Sequence, residues 1–340
     1  SVTVDEARAA LQALACEHRR RLGIPLLSIV GSNGKTTTKE LVSRVLAEKY
    51  AVYATQGNLN NHIGVPLTLL AMTRDTELGV VEMGASACGE IALLASIAEP
   101  NYGILTNIGR AHLEGFGGPE GIRRGKGELL DYLAANGGRA FVPREDQTLT
   151  NMAAERDGLA AEYYSVTLAD GIAHHLEGDY NRFNIAAAVA VGRYFDIDGE
   201  RIRHAVGSYM PDNNRSQRTE TERNTLIVDC YNANPSSMRA SVLNFLAEPA
   251  GGRSRRVLIL GDMLELGENT AALHEGVGEH AAKRGIDLIL TTGELSRSTY
   301  EGAKRAGGNA VWFPDTAALV AALPAWIRTG DCVLVKASHS

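Results

Sequence analysis

Residues 28 to 40, SIVGSNGKTTTKE, hold the first side chains in this sequence whose types and spacing could do chemistry. An apolar run ends in a glycine-bearing turn, and a helical pattern starts at Lys35. Backbone N–H groups of such a turn and the positive end of a helix dipole bind phosphate. A lysine placed there reaches terminal phosphates, and the hydroxyl after it can hold Mg2+. Gly31, Ser32, Asn33, Gly34, Lys35, Thr36 and Thr37 therefore form a candidate phosphate site. The usual phosphate-loop pattern has another glycine six residues before the lysine, where this chain has Ile29. Alone, the short G-x-x-G-K-T is a weak signal; the strand before it and the helix after it strengthen it.

Three further stretches gather reactive residue types. TQGNLNNHIGVPLTLL places Asn58, Asn60 and Asn61 in a loop that feeds a helix. One asparagine serves a turn or a cap, whereas three suit recognition of a polar substrate or of transferred phosphate. In GVVEMGAS an acid, Glu82, ends a strongly apolar strand. An acid there holds Mg2+ beside a phosphate loop, because ligands of open α/β sheets lie at the carboxyl ends of strands. LTNIGRAHLEGFGG then carries Asn107 and His112 into a glycine-rich turn, and GIRRGKGELL sets Lys126 on a helix, where the plain reading is a solvated basic face.

These residues need a scaffold, and the sequence supplies one. Thr3 and Glu6 make a capping box for a first helix, with Val4, Ala7, Leu11 and Leu14 on one face. LLSIV, AVYAT, LGVVEMG, YGILTNI and RAFVP then read as buried strands, separated by helices near 35–49, 89–98 and 119–135. The pattern weakens over 144–180, after which NRFNIAAAVAVGRYF and DGERIRHAVGSY give two helices. MPDNNRSQRTETERN is polar and turn-rich, so a boundary falls near residue 212. Past it, TLIVDCY, RRVLILGD, DLILTTG, AVWFP and DCVLVKA alternate with helices near 235–247, 269–284, 295–306 and 316–328. The expected fold is α/β: a linker helix over 1–22, a phosphate-loop domain with a mainly parallel sheet over 23–211, and a Rossmann-like α/β domain over 212–340.

Composition narrows the class. The 340 residues are 44% hydrophobic and 22% charged, with a net charge of −6 and scattered basic residues. That is ordinary for a globular protein and unlike the concentrated positive footprint of a nucleic-acid binder. Cys16, Cys88, Cys230 and Cys332 lie far apart, so neither zinc nor a disulfide framework is indicated, and a reducing cytoplasm fits. No apolar run has the length of a membrane span. A monomer acting on small molecules is expected, with neither nucleic acid nor membrane as a partner.

In this order, the five pieces GSNGKTTT, GNLNN, VVEMG, TNIGRAH and RRGKGE resemble the central ATPase domain of the Mur ligase family, cytoplasmic enzymes that build the peptidoglycan stem peptide. That family's loop lacks the earlier glycine; residue 30 is usually Thr there and is Val30 here. The resemblance extends through GDYNRFNIAAAVA, NNRSQR, IVDCYNANPSSM, LGDMLELG and VKASHS, and covers essentially the whole chain. Its YNANPSSM string points to the branch that adds D-alanyl-D-alanine. The resemblance implies an ATP-dependent ligase that activates UDP-MurNAc-tripeptide as an acyl phosphate and couples D-Ala-D-Ala to it, and a chain that lacks the family's amino-terminal UDP-binding domain.

The resemblance also implies roles. Asn181 lies by the adenine, Arg215 contacts ATP, Asp229 lies near the ribose, and Tyr231 and Asn232 line the nucleotide. Lys126 is carbamylated, so that Thr36 and Glu82 hold one Mg2+ and His112 with carbamylated Lys126 the other. ATP contacts from both domains imply closure. The last motif, usually V-K-G-S-R, here reads Lys336, Ala337, Ser338, His339, and a neutral His grips an acceptor carboxylate less firmly than Arg. Rival readings are a folylpolyglutamate or capsule glutamate ligase, against which YNANPSSM counts, a nucleotide-dependent switch, or an ATP-binding fragment without turnover.

Overall fold

The computed structural model describes residues 6–109, 112–176, 178–211, 217–247 and 255–338. Chain order is α1 (Ala7–Leu22), β1 (Leu26–Val30), α2 (Lys35–Ala47), β2 (Val52–Ala54), α3 (Gly64–Leu70), β3 (Leu78–Glu82), α4 (Glu90–Ala98), β4 (Tyr102–Leu105), α5 (Leu113–Phe116), α6 (Pro119–Ala135), β5 (Arg139–Pro143), α7 (Gln147–Ala154), β6 (Ala160–Tyr164), α8 (Asn181–Tyr194) and α9 (Gly199–Gly207). Then come β7 (Gln217–Glu220), β8 (Thr225–Asp229), α10 (Pro235–Ala247), β9 (Arg256–Leu260), α11 (Thr270–Ala282), β10 (Leu288–Thr292), α12 (Arg297–Arg305), β11 (Ala310–Phe313), α13 (Thr316–Trp326) and β12 (Cys332–Lys336). The chain divides into two compact units. The second takes residues from Met210 onward together with short stretches around His112 and Asp179.

The first unit is a six-stranded sheet of order β2-β3-β1-β4-β5-β6, parallel throughout. All five residues of β1, LLSIV, are buried, as a central parallel strand covered on both faces requires. β1 lies between β3 and β4, so the chain leaves it with neighbours on either side that come later in sequence. That is the switch point at whose carboxyl edge α/β sheets bind ligands. The stretch read as weakly patterned holds α7 and β6. β6, AAEYY, pairs only with β5 at the sheet edge and is mostly half-buried, so it carries no apolar run to reveal it.

The inner face of α1 is not the one its apolar spacing indicates. Ala15 and Arg19 are buried, while Leu14 is 59% exposed and Ala7 is exposed. α1 packs on α3 and α4, and Arg19 closes the end of α4, donating to the carbonyls of Ala98 at 2.9 Å and Glu99 at 3.1 Å. Hydrogen bonding to carbonyls that a helix end leaves unpaired outweighs apolarity here. Of the capping pair, Glu6 is the N-cap, accepting from Ala9 N at 2.7 Å; Thr3 lies outside the described residues.

The second unit is a six-stranded sheet of order β11-β10-β9-β12-β8-β7, parallel except for β7, which runs antiparallel to β8. Ile227, Leu258, Leu260, Ile289 and Leu334 pack with residues of α10, α11 and α12 on one face, and Val257, Leu288, Leu290 and Val333 pack with Leu319 of α13 on the other. β7 is the polar segment QRTE within the stretch read as a boundary; its ladder to β8, rather than its side chains, makes it a strand.

Candidate active site

The turn after β1 wraps closely against its neighbours. A Cβ on Gly31 (φ +146°) would come 1.9 Å from Thr106 Oγ1, and one on Gly34 (φ +79°) 2.8 Å from Asn184 Oδ1, so both positions exclude a side chain. Gly34 starts α2 with no side-chain cap, leaving the first N–H groups of that helix available to an anion. Lys35 folds over the turn, its ammonium 2.9 Å from the Gly31 carbonyl. The residues after β4 lace onto the same turn. The Asn107 side chain accepts from Asn33 N at 3.1 Å and donates to the Asn33 carbonyl at 3.0 Å, and Ser32 Oγ accepts from Gly109 N at 2.9 Å. Thr36 and Thr37 are buried at the head of α2.

Glu82 ends β3 in register with Ile29 of β1, which sets the carboxylate beside the turn. It is 1% exposed. Oε1 accepts from Asn60 Nδ2 at 2.9 Å, whereas Oε2 is buried with no partner. An unpaired buried carboxylate oxygen is costly and suits a hard cation; Mg2+ takes one or two carboxylates together with substrate phosphates. The residues present fit that ion: Glu82 and the Thr36 hydroxyl are oxygen donors next to the phosphate turn. The three asparagines divide their work. Asn60 orients Glu82, Asn61 Oδ1 caps α3 by accepting from Ile63 N at 3.0 Å and Gly64 N at 2.9 Å, and Asn58 is exposed.

Lys126 corrects the reading of a solvated basic face. It lies on α6 and is 1% exposed, with its ammonium donating to the Ala85 carbonyl at 2.8 Å and lying 4.9 Å from the Phe116 ring centroid. Burial, with the Lys35 charge adding to it, pushes its pKa down to about 7. A large share of the side chain is therefore a neutral, nucleophilic amine at neutral pH. His112 groups with the second unit, where its Nδ1 pairs with the Glu265 carboxylate. Among the described residues no three His, Cys, Asp or Glu side chains form a metal cluster.

Asn181, read from sequence, heads α8 and is 2% exposed. Its side chain is fixed by Asn184, which donates to Asn181 Oδ1 at 2.7 Å and accepts from Thr38 Oγ1 at 3.0 Å. Asn184 was not singled out, although its place one helical turn after Asn181 was a signal. In the second unit, Asp229 at the end of β8 and Lys336 at the end of β12 are in register and paired at 2.6 Å. Lys336 is 2% exposed, and Ser241 also donates to Asp229 Oδ2, at 2.8 Å. Asn232 and Tyr231 follow Asp229 in the loop, and Lys336 donates to the Asn232 carbonyl at 3.2 Å while Ser338 Oγ donates to that of Ala233 at 3.3 Å. Ala337 fits because its neighbour is Gly261, whose own Cβ would come 2.7 Å from that of Ala337. Arg215 and His339 lie outside the described residues.

A glycine turn and helix start at the switch point of a parallel sheet, with a buried acid on the adjoining strand, define a phosphate-loop nucleotide-binding protein carrying a second α/β unit. Residues 29–174 match the Mur ligase middle domain and residues 214–339 the Mur ligase glutamate ligase domain. The chain belongs to the Mur ligase family. It is 35% identical to the UDP-N-acetylmuramoyl-tripeptide--D-alanyl-D-alanine ligase of Bacillus subtilis, over 99% of this chain and 78% of that one. Among solved structures it resembles MurF from Acinetobacter baumannii (TM-score 0.88, 27% identity, 99% of this chain and 79% of that one). It also resembles the MurF ligase from Thermotoga maritima in complex with ADP (TM-score 0.83, 26% identity, 99% and 82%).

Proposed function

We propose that this chain is an ATP-dependent amide ligase that joins D-alanyl-D-alanine to the terminal carboxyl group of UDP-MurNAc-tripeptide through an acyl phosphate. The reaction class rests on the convergence of a phosphate turn, a buried carboxylate with an unpartnered oxygen and a lysine of pKa about 7 at one edge of one sheet. The choice of substrates rests on the likeness to the Bacillus subtilis enzyme of that name.

The α2 N–H groups and Lys35 hold the ATP phosphates and take up charge as it develops. A carboxylate oxygen of the tripeptide attacks the terminal phosphorus and ADP leaves. The free amine of the dipeptide then attacks the acyl carbon, and phosphate leaves carrying that oxygen. Glu82 and Thr36 would hold Mg2+, which when bound would supply charge neutralisation on the phosphates. Lys126 acts after modification: its neutral amine adds CO2 and releases one proton, so that an uncharged amine is exchanged for an anionic carbamate, which would be able to hold a second Mg2+. A lysine of ordinary pKa would be almost wholly protonated and would not react in this way.

The acyl phosphate has an isotopic signature. With 18O in the tripeptide carboxylate, one labelled oxygen is expected in the phosphate released per amide formed. Unlabelled phosphate alongside amide product would contradict the acyl-phosphate route.

A further inference from the structure

Two buried residues beside the site have no role in the reaction as described. Lys39 lies on α2 one turn past Lys35 and is 3% exposed; its ammonium donates to the Thr55 carbonyl at 2.7 Å and pairs with Glu40 at 2.6 Å. Thr55 is wholly buried, one residue past the edge strand β2. Its N–H donates to the Val80 carbonyl at 3.0 Å, and its hydroxyl accepts from Glu82 N at 3.0 Å.

These bonds reroute the sheet at one place. In a parallel ladder, a residue that donates to one carbonyl accepts, through its own carbonyl, from the N–H two residues further along the partner strand. Thr55 donates to Val80, so its carbonyl would receive Glu82 N. Lys39 takes that carbonyl instead, and the Thr55 side chain receives Glu82 N in its place. Burying an ammonium is expensive unless it is fully bonded, and an apolar side chain would fill that face of α2 at no such cost.

We infer that Lys39 and Thr55 are positioning residues for Glu82: they end the β2–β3 ladder at the acid and fix its backbone relative to α2, which carries Lys35 and Thr36. Asn60 holds Oε1, and Oε2 is left buried without a partner. The inference rests on the proposed metal role of Glu82. Neither Lys39 nor Thr55 touches substrate.

Calorimetric ADP binding by the full chain, with and without Mg2+, tests it, with thermal melting recorded for every variant. Partners that orient metal ligands change metal affinity by roughly 10- to 100-fold when lost. Thr55→Val keeps the volume and removes the acceptor; it should cut the Mg2+-linked gain in ADP affinity at least about tenfold and leave Mg2+-free affinity unchanged. Thr55→Ser should behave as the unaltered chain. Lys39→Met should follow Thr55→Val, and if it does not fold, the Thr55 pair decides. A Mg2+-linked gain that persists in Thr55→Val overturns the inference, as does a loss equal with and without Mg2+ that tracks melting temperature. Absence of any Mg2+ effect in the unaltered chain defeats the metal reading itself.

Discussion

An ammonium enclosed by protein loses hydration that one carbonyl and one aromatic face replace only in part, and Lys126 has those neighbours in Ala85 and Phe116. The folded pKa of about 7 lies below the ordinary 10.5, so the unfolded chain binds more protons between those values. Stability that is complete above pH 10.5 is therefore lost as pH falls to about 7, by a total on the order of 5 kcal/mol. Lys126→Met should raise the unfolding free energy at pH 7 and below, an advantage that shrinks as pH rises toward 10; a pH-independent difference in denaturant titrations would refute it. Lys126→Ala should abolish turnover, with bicarbonate or a short carboxylic acid restoring part of it; full activity in the variant would remove the carbamate role. The sequence marked this residue but not its burial, because arginines beside it give the segment a solvated look. Ile29 was the opposite case. It is a wholly buried strand residue, so the absent glycine is a sheet position, and the turn begins only at Gly31.

Elements were legible where burial imposed a period. β1 and β5 and helices α6 and α10 have the limits that their apolar patterns indicate, since each is covered or amphipathic along its length. The edge strands β6 and β7 were not, because pairing on one side asks little of side chains. The ends of β8 and β12 are joined by an ion pair, Asp229 with Lys336, almost closed from water. Removing one member of a buried pair costs roughly 3–5 kcal/mol because the other is stranded. Lys336→Met should approach that loss, and adding Asp229→Asn should recover part of it; additive losses in a double-mutant cycle by chemical denaturation would show that the two do not act as a pair. The motif string places Lys336 among the substrate contacts and gives no sign that it also pairs with another motif residue, Asp229.

For the whole molecule, two six-stranded sheets follow from alternating apolar runs and helical periods, and Glu82 in the first unit and Asp229 and Lys336 in the second stand at carboxyl ends of strands. What could not be read was which groups hold each other: Thr38 on Asn184, Asn60 on Glu82, Lys39 on the Thr55 carbonyl. Those pairings come from the fold's convergence of segments far apart in sequence, and no local spacing encodes them. The central claim, a ligase that spends ATP to join two particular substrates, is tested by ADP release from the full chain given ATP, Mg2+ and UDP-MurNAc-tripeptide, with and without D-Ala-D-Ala. Sustained ADP release that needs both substrates and matches the amide formed is the result predicted; release independent of either substrate, or none with both present, would contradict it.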